Sequence, residues 1–167
     1  MTKTIAIISL WRDSQTYIHT SLNQLSTQED ELGSDYSFLY SFYENDSVDD
    51  TSKILREWLK DRQGTLLTDK LNHPKWESVP SRTRTVAMAQ YRNICLYALR
   101  DKKYDYLFII DSDICYEKDL FKSMIYLIDN NQTYGMVTPN TQQNVSDKFD
   151  LNKSTSYYDS WALKDLQ

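Results

Sequence analysis

The sequence of 167 residues is poor in glycine and proline, with three of each. It contains neither a G-x-G-x-x-G loop nor a G-x-x-x-x-G-K-[ST] loop, so a nucleotide here is not held by either kind of glycine-rich phosphate cradle. Only two cysteines occur, Cys95 and Cys115, and they do not form a Cys-x-x-Cys pair. Their number excludes a disulfide framework and disfavours a structural zinc site.

Long apolar runs and a basic excess are also absent. The apolar run at residues 107–110 fits a buried strand but is far too short to cross a bilayer. The first residues lack the small-residue cleavage site of a secretory signal, so we expect a cytoplasmic protein with no membrane span. The formal net charge is -5, whereas nucleic-acid-binding domains typically carry a basic face. We therefore expect no nucleic-acid partner.

The composition, with 40% hydrophobic and 26% charged residues, suits one domain over residues 1–167. Windows typical of strands alternate with helical windows that begin near Ser14, Ser47, Arg82 and Glu117. This alternation predicts an α/β fold with a mainly parallel central sheet and helices on both faces. The strand at 106–110 is expected to be central. The predicted strands cover residues 4–10, 36–43, 65–68, 106–110 and 134–137.

Acidic residues gather where these strands end, and in parallel sheets ligands bind beyond the carboxyl ends of the strands. Asp111 and Asp113 follow the fourth strand. In an extended segment, residues two apart point to the same side, and two such carboxylates repel each other unless a cation is near. Oxygen ligands suit magnesium or manganese, which would also bind the oxygens of a diphosphate leaving group. The alternative is a solvated turn in which one aspartate caps the next helix.

Three other groups of residues are weaker candidates. Glu44 and Asp46 could accept hydrogen bonds from a ribose hydroxyl or a base amide, although turn and N-cap roles are the simpler interpretation. Arg82 and Arg84 lie near the start of the third helix, where the helix dipole favours phosphate contact. The inward side of that helix is predicted to carry Val86, Ala89 or Gln90, Asn93, Ile94, Tyr97 and Ala98, which leaves Asn93 in need of a partner.

Three segments together resemble the nucleotide-diphosphate-sugar glycosyltransferases of the GT-A fold. They are residues 7–13, the acidic segment 44–51 ending in Ser-x-Asp-x-Thr, and residues 88–113, where Ala-x-x-Arg-Asn precedes an apolar strand ending in Asp-x-Asp. The residue patterns of these segments most resemble those of the fungal mannan-polymerase and capsule-associated mannosyltransferases, and viral sugar transferases are also similar. Residues 157–165 resemble the Tyr-Asp-x-Trp acceptor segment of the capsule-type group.

The resemblance implies a role for each matching residue. Asp113 would be the main metal ligand, and Asp111 would contact the ribose or reach the metal through water. Arg92 would orient the donor diphosphate or brace the two aspartates. Asp159 and Trp161 would lie near the transferred sugar or the acceptor, with Asp159 as the base if the reaction inverts. The base and ribose would be held by Glu44 or Asp46 together with Ser9, Leu10 and Trp11.

The implied activity is metal-dependent transfer of a sugar from a UDP- or GDP-sugar to a carbohydrate hydroxyl, with retention or inversion. Many GT-A enzymes carry a further metal-binding histidine late in the domain, whereas His73 is the last histidine here. Either aspartate, water and phosphate complete the metal shell, or the chain is part of a longer domain. Two alternatives are a sugar-1-phosphate nucleotidyltransferase, which usually needs a glycine-rich loop missing from residues 8–14, and a non-catalytic sugar-nucleotide-binding module.

Overall fold

The computed structural model describes residues 2–75, 81–131, 133–139, 142–144 and 154–157. The chain divides into two compact units, residues 1–122 and 123–167. The first unit contains a four-stranded sheet, and the second contains a two-stranded antiparallel pair. The prediction that residues 1–167 form one domain stays a prediction.

The strands and helices follow one another in the predicted alternation. Short 3₁₀ turns at Gly33–Asp35 and Leu59–Asp61 follow the first two helices. None of the helices in the described ranges has both the length and the apolar character needed to span a membrane. The elements are β1 (Lys3–Trp11), α1 (Ile18–Leu32), β2 (Tyr36–Asn45), α2 (Thr51–Trp58), β3 (Gly64–Asp69), α3 (Arg82–Ala98), β4 (Tyr106–Asp111), α4 (Leu120–Asn130), β5 (Gln142–Asn144) and β6 (Ser154–Tyr157).

The main sheet has the strand order β3-β2-β1-β4, and all its pairings are parallel. This confirms the predicted α/β class. The prediction that β4 is central is wrong within the described sheet, where β1 and β2 are the inner strands and β4 lies at an edge. One face of β4 is also less covered than the other, because Phe108 is buried whereas Ile109 is 54% exposed. An apolar run indicates burial, but it does not specify how many strands flank it.

Helices cover both faces of this sheet, as predicted. On one face, Ala6, Ile8, Leu39 and Tyr43 pack against α3. On the other face, the rings of Tyr40 and Phe42 contact Trp58 of α2 at centroid distances of 4.9 and 5.9 Å. The hydroxyl of Tyr40 also donates to Glu29 of α1 at 2.7 Å. Because both faces of β1 are buried, its sequence is one continuous apolar run.

The predicted inward side of α3 is wrong. Asn93 is exposed, and so are Val86 and Tyr97. The helix instead buries Ala87, Tyr91 and Cys95, which recur every four residues on one face. Two of these three are small, so the helix axis can approach the sheet closely. The prediction favoured the larger apolar side chains, which lie on the flanks of the contact.

The predicted fifth strand at residues 134–137 does not form. Residues 133–137 adopt no strand, and the large side chains of Tyr134 and Met136 are exposed. A strand-like composition reports a side-chain preference, but a strand also needs a neighbour for its backbone hydrogen bonds. Among the described residues of the second unit, β5 and β6 are strands, and they pair with each other.

Candidate functional site

The carboxyl ends of the four parallel strands meet at one edge of the sheet, which we call the carboxyl edge. It is defined by the last residues of the strands, Trp11, Asn45, Asp69 and Asp111. Helix α3 runs antiparallel to the strands, because Tyr91 contacts Tyr43 while the later Cys95 accepts a hydrogen bond from the earlier Ser41. The N-terminal half of α3 therefore lies at the carboxyl edge.

Hydrogen bonds between side chains and backbone join the loops that follow β1 and β2. Ser47 Oγ accepts from the N–H of Asp13 at 3.0 Å, and Asp13 Oδ1 accepts from the N–H of Val48 at 2.9 Å. Thr51 Oγ1 accepts from the N–H of Ser14 at 2.7 Å. Asp13 has a φ of 47°, a left-handed conformation that aspartate tolerates better than most residues. Short polar side chains thus shape these loops where other proteins use glycine.

Asp46 anchors the loop that follows β3. Its Oδ1 accepts from the N–H of Asn72 at 2.7 Å, and its Oδ2 accepts from the N–H of His73 at 3.1 Å. The side-chain amide of Asn45 also donates to Oδ2. Desolvation alone would raise the pKa of Asp46, but these hydrogen bonds outweigh it and lower the pKa below the ordinary aspartate value.

We expect the substitution Asp46→Asn to lower the free energy of unfolding by about 1 kcal/mol at neutral pH, because a charged acceptor of backbone N–H groups is lost. The folded-state pKa of Asp46 is depressed, so its stabilising effect is present above the unfolded pKa of about 3.9 and disappears as the pH falls through the lower folded value. The variant should therefore show a flatter loss of stability below about pH 4. Urea denaturation across this range measures both effects.

The matched control for this prediction is Asp50→Asn, which removes an exposed carboxylate from the loop after β2, where Asp46 also lies. Asparagine at position 46 tolerates the observed φ of 58°, so backbone strain does not confound the comparison. If Asp46→Asn and Asp50→Asn follow the wild-type profile equally well, the carboxylate of Asp46 does not stabilise the loop.

Arg12 also holds the loop that follows β3. Its guanidinium donates to the carbonyls of His73 and Pro74 at 2.8 and 2.9 Å. Lys75 pairs with Asp13 at 3.3 Å, and His73 Nδ1 lies 2.7 Å from the hydroxyl of Tyr91. No sequence motif predicted these roles of Arg12 and His73. The sequence feature that could have indicated Arg12 is the Arg-Asp pair directly after a buried strand, because functional polar residues often follow the carboxyl ends of parallel strands.

The Asp-x-Asp segment forms a turn at the end of β4. Ser112 is buried, and its carbonyl accepts from Ser21 Oγ of α1 at 2.5 Å. The two flanking carboxylates are exposed. Asp111 Oδ1 accepts from Arg92 Nη2 at 2.7 Å, whereas the side chain of Asp113 has no hydrogen bond or ion pair with any described residue. The buried Ser112 therefore anchors the turn. The carboxylate of Asp113 has no partner among the described residues, so it can bind a ligand.

The other residues that were predicted to contact the nucleoside differ in how deeply their side chains are buried. Ser9 and Trp11 are each 3% exposed, and Leu10 lies beside Asp111 in the ladder between β1 and β4. Ser9 Oγ and Trp11 Nε1 are buried without a hydrogen-bond partner among the described residues. Glu44 is also buried, and its Oε1 accepts from the N–H of Ser47 at 2.9 Å.

Arg84 lies in the first turn of α3, whose N-cap is Ser81. About 12 Å of helix axis separates it from Arg92, so the two arginines are not neighbours. Asp159 and Trp161 lie outside the described residues. The predicted roles of all these residues stay predictions.

A metal ion fits the carboxyl edge only if its ligands come in part from the substrate. Within the described ranges, no group of three or more His, Cys, Asp or Glu side chains is arranged to hold a metal. Asp111 and Asp113 can supply two carboxylates. Magnesium is commonly bound by one or two carboxylates together with substrate phosphates and water, so this donor set fits a metal carried with a diphosphate.

The fold matches that of a known glycosyltransferase. The crystal structure of residues 1–349 of S. aureus TarS aligns with a TM-score of 0.52 and 18% sequence identity, covering 85% of this chain and 39% of TarS. The same segment in complex with UDP-GlcNAc aligns with a TM-score of 0.47 and 19% identity, covering 85% of this chain and 38% of that chain. At this identity the likeness shows the fold alone. No curated protein matches the sequence significantly.

Residues 4–167 match the family model described as Cryptococcal mannosyltransferase 1. Since the match extends over nearly the whole chain, the protein belongs to this family. The resemblance to capsule-associated mannosyltransferases is thereby confirmed, and membership of this family assigns the chain to the glycosyltransferases.

Proposed function

We propose that this chain binds the donor in a glycosyltransferase reaction that moves a sugar from a UDP- or GDP-sugar to a hydroxyl of a carbohydrate acceptor. Family membership supports the reaction class. The observation that carries the donor assignment is the turn after β4, where Asp111 and Asp113 are exposed at the carboxyl edge on either side of the buried Ser112.

In this proposal Asp113 and Asp111 hold a magnesium or manganese ion together with the donor diphosphate. Such an ion, when bound, stabilises the negative charge that develops on the departing nucleoside diphosphate. Asp113 is the stronger candidate ligand, because its carboxylate is exposed and has no bond to another described side chain. Asp111 already shares one oxygen with Arg92.

Arg92 has two functions in this proposal. Its Nη2 holds Asp111 in place at 2.7 Å, and its side chain remains 35% exposed. A guanidinium has five N–H donors, so those of Arg92 that have no partner among the described residues can contact a phosphate oxygen. Arg92 would thereby position both the metal-binding carboxylate and the leaving group. Arg84, about two helical turns closer to the start of α3, is positioned for a more distant phosphate contact.

The nucleoside would lie against the joined loops after β1 and β2. Leu10 and the loops held by Glu44 and Asp46 supply the surface of this subsite. Ser9 and Trp11 are buried at the end of β1 and would form its floor. Asp159 and Trp161 would lie near the transferred sugar or the acceptor.

Thermal denaturation with UDP or GDP, with and without manganese, tests the donor assignment. A ligand that binds only the folded state raises the unfolding free energy by about 2.7 kcal/mol at a hundredfold excess over its Kd. We expect one nucleotide to raise the Tm in the presence of manganese and to have little effect without it. If neither nucleotide shifts the Tm under either condition, the donor assignment is wrong.

Product analysis separates the proposed reaction from its alternatives. Glycosyl transfer releases a nucleoside diphosphate, whereas a nucleotidyltransferase releases inorganic diphosphate from a nucleoside triphosphate and a sugar phosphate. Nucleotide binding without transfer to any acceptor would indicate a binding module.

A further inference from the structure

A groove of about 810 Å³ lies between α3 and β3, next to the carboxyl edge. This volume is in the range of sites that bind small molecules. We call it the α3 groove. Residues of α3 and of the turn after it form one side of the groove, and residues of β3 and of the loop after it form the other.

The charges of the α3 groove disfavour an anionic ligand. Asp69 and Asp101 place two carboxylates in its lining. Arg100 is its one lysine or arginine among the described residues, and it pairs with Asp101 at 3.1 Å. The guanidinium of Arg100 also lies 4.0 Å from the centroid of the Tyr97 ring. Since this cation is already engaged, a nucleotide or another phosphate would meet uncompensated negative charge.

The uncharged groups of the α3 groove suit a neutral polyhydroxylated ligand. Gln90 and Asn93 are exposed carboxamides one helical turn apart, and each offers both donors and an acceptor to hydroxyl groups. Tyr97 is 67% exposed, and with the apolar side chains of Leu67 and Ile94 it offers a surface for the C–H faces of sugar rings. Apolar surface combined with a few hydrogen-bonding groups is the usual composition of a specific ligand site.

The α3 groove is also connected to the proposed donor site. At its carboxyl-edge end, His73 bonds to Tyr91, which directly precedes Arg92 in α3. From Gln90 to Ala98 the helix rises about 12 Å, which is longer than a single sugar ring needs. We propose that the α3 groove binds a neutral oligosaccharide, namely an assembled part of the acceptor glycan. This inference rests on the proposed function for the identity of the glycan.

Binding of manno-oligosaccharides tests the proposal. We would measure the Kd of mannose and of a linear mannotetraose by titration calorimetry for the wild type, Asn93→Ala and Tyr97→Ala. We expect each substitution to weaken mannotetraose binding about tenfold, which corresponds to about 1.4 kcal/mol. The effect on mannose should be much smaller, and Tyr97→Phe should retain most of the affinity.

Tyr126→Ala is the matched control, because Tyr126 is a tyrosine of α4 with a similar exposure of 65%. It should bind mannotetraose as the wild type does. Both test side chains are exposed, so the Tm of the variants should change little. Equal affinity of wild type, Asn93→Ala and Tyr97→Ala for mannotetraose overturns the proposal.

Parallel titrations with UDP and GDP in the presence of manganese keep the two proposals separate. If a nucleotide binds but mannotetraose affinity is independent of Asn93 and Tyr97, the groove assignment fails and the donor site stands. If no nucleotide binds but mannotetraose affinity depends on these side chains, the groove stands as a carbohydrate site and the proposed transfer reaction fails.

Discussion

Replacement of Asp113 by alanine is expected to lower the rate of sugar transfer by about 10³-fold, the upper end of what removal of one electrostatic stabiliser costs an enzyme. In the proposed mechanism Asp113 is the main ligand of the metal ion, and its loss would remove much of the stabilisation of the leaving diphosphate that this ion would supply. The fold should survive, because Asp113 is exposed and has no bond to another described side chain. Steady-state release of nucleoside diphosphate, together with the Tm, measures both effects.

Asp119→Ala provides the matched control for Asp113→Ala. Asp119 is an exposed aspartate shortly before α4 and lies outside the Asp-x-Asp segment. It should leave both the transfer rate and the manganese dependence unchanged. Wild-type donor hydrolysis by Asp113→Ala would contradict the metal assignment, since the reaction would then proceed without its main proposed ligand.

Local periodicity was sufficient to predict most elements of the first unit. The strand predicted at residues 4–10 is observed as Lys3–Trp11, and the helix predicted at 82–100 is observed as Arg82–Ala98. Both stretches are long and uninterrupted: one is the apolar run of a buried strand, and the other is a helix that begins after a Ser81 cap. Since the alternation of such stretches constrains the topology to parallel crossovers, the fold class followed from the sequence as well.

Features that depend on distant residues could not be predicted in this way. The edge position of β4 depends on which strands pair with it, and the buried side of α3 depends on how closely the helix approaches the sheet. Residues 134–137 have strand-like composition, but no strand of the described residues pairs with them. For β4 and residues 134–137 the error came from assuming neighbouring strands, whereas for α3 the wrong side of the helix was assigned to the core.

The candidate site shows the same division. The rule that ligands bind at carboxyl ends located Asp111, Asp113 and Asp46 at one edge, because it follows from the topology alone. The bonds from Arg12 to the carbonyls of His73 and Pro74 cross more than sixty positions of sequence. No short motif encodes such a contact. The burial of Trp11 is likewise a consequence of Phe42 packing against it from the neighbouring strand.

Replacement of Arg92 by alanine is expected to lower sugar transfer by about 10²-fold, because the charge-assisted bond to Asp111 and a proposed contact to the diphosphate are lost together. If Arg92 had a purely structural role, Arg92→Ala would also bind manganese more weakly. Our proposal predicts no weakening of manganese binding in the absence of a nucleotide. Removing a guanidinium that lies 2.7 Å from Asp111 increases the negative potential at the turn, so manganese should bind as tightly as in the wild type or more tightly.

Two further variants sharpen the test of Arg92. Arg92→Lys keeps the positive charge but not the planar set of donors, so it should recover only part of the lost activity. Arg56→Ala removes an exposed arginine from α2, away from the Asp-x-Asp turn, and should behave as the wild type. Calorimetric titration with manganese and steady-state kinetics together separate the outcomes. Weaker manganese binding by Arg92→Ala, or transfer at the wild-type rate, would contradict a direct role for the guanidinium, because a cation beside the metal site opposes metal binding unless the diphosphate is present to engage it.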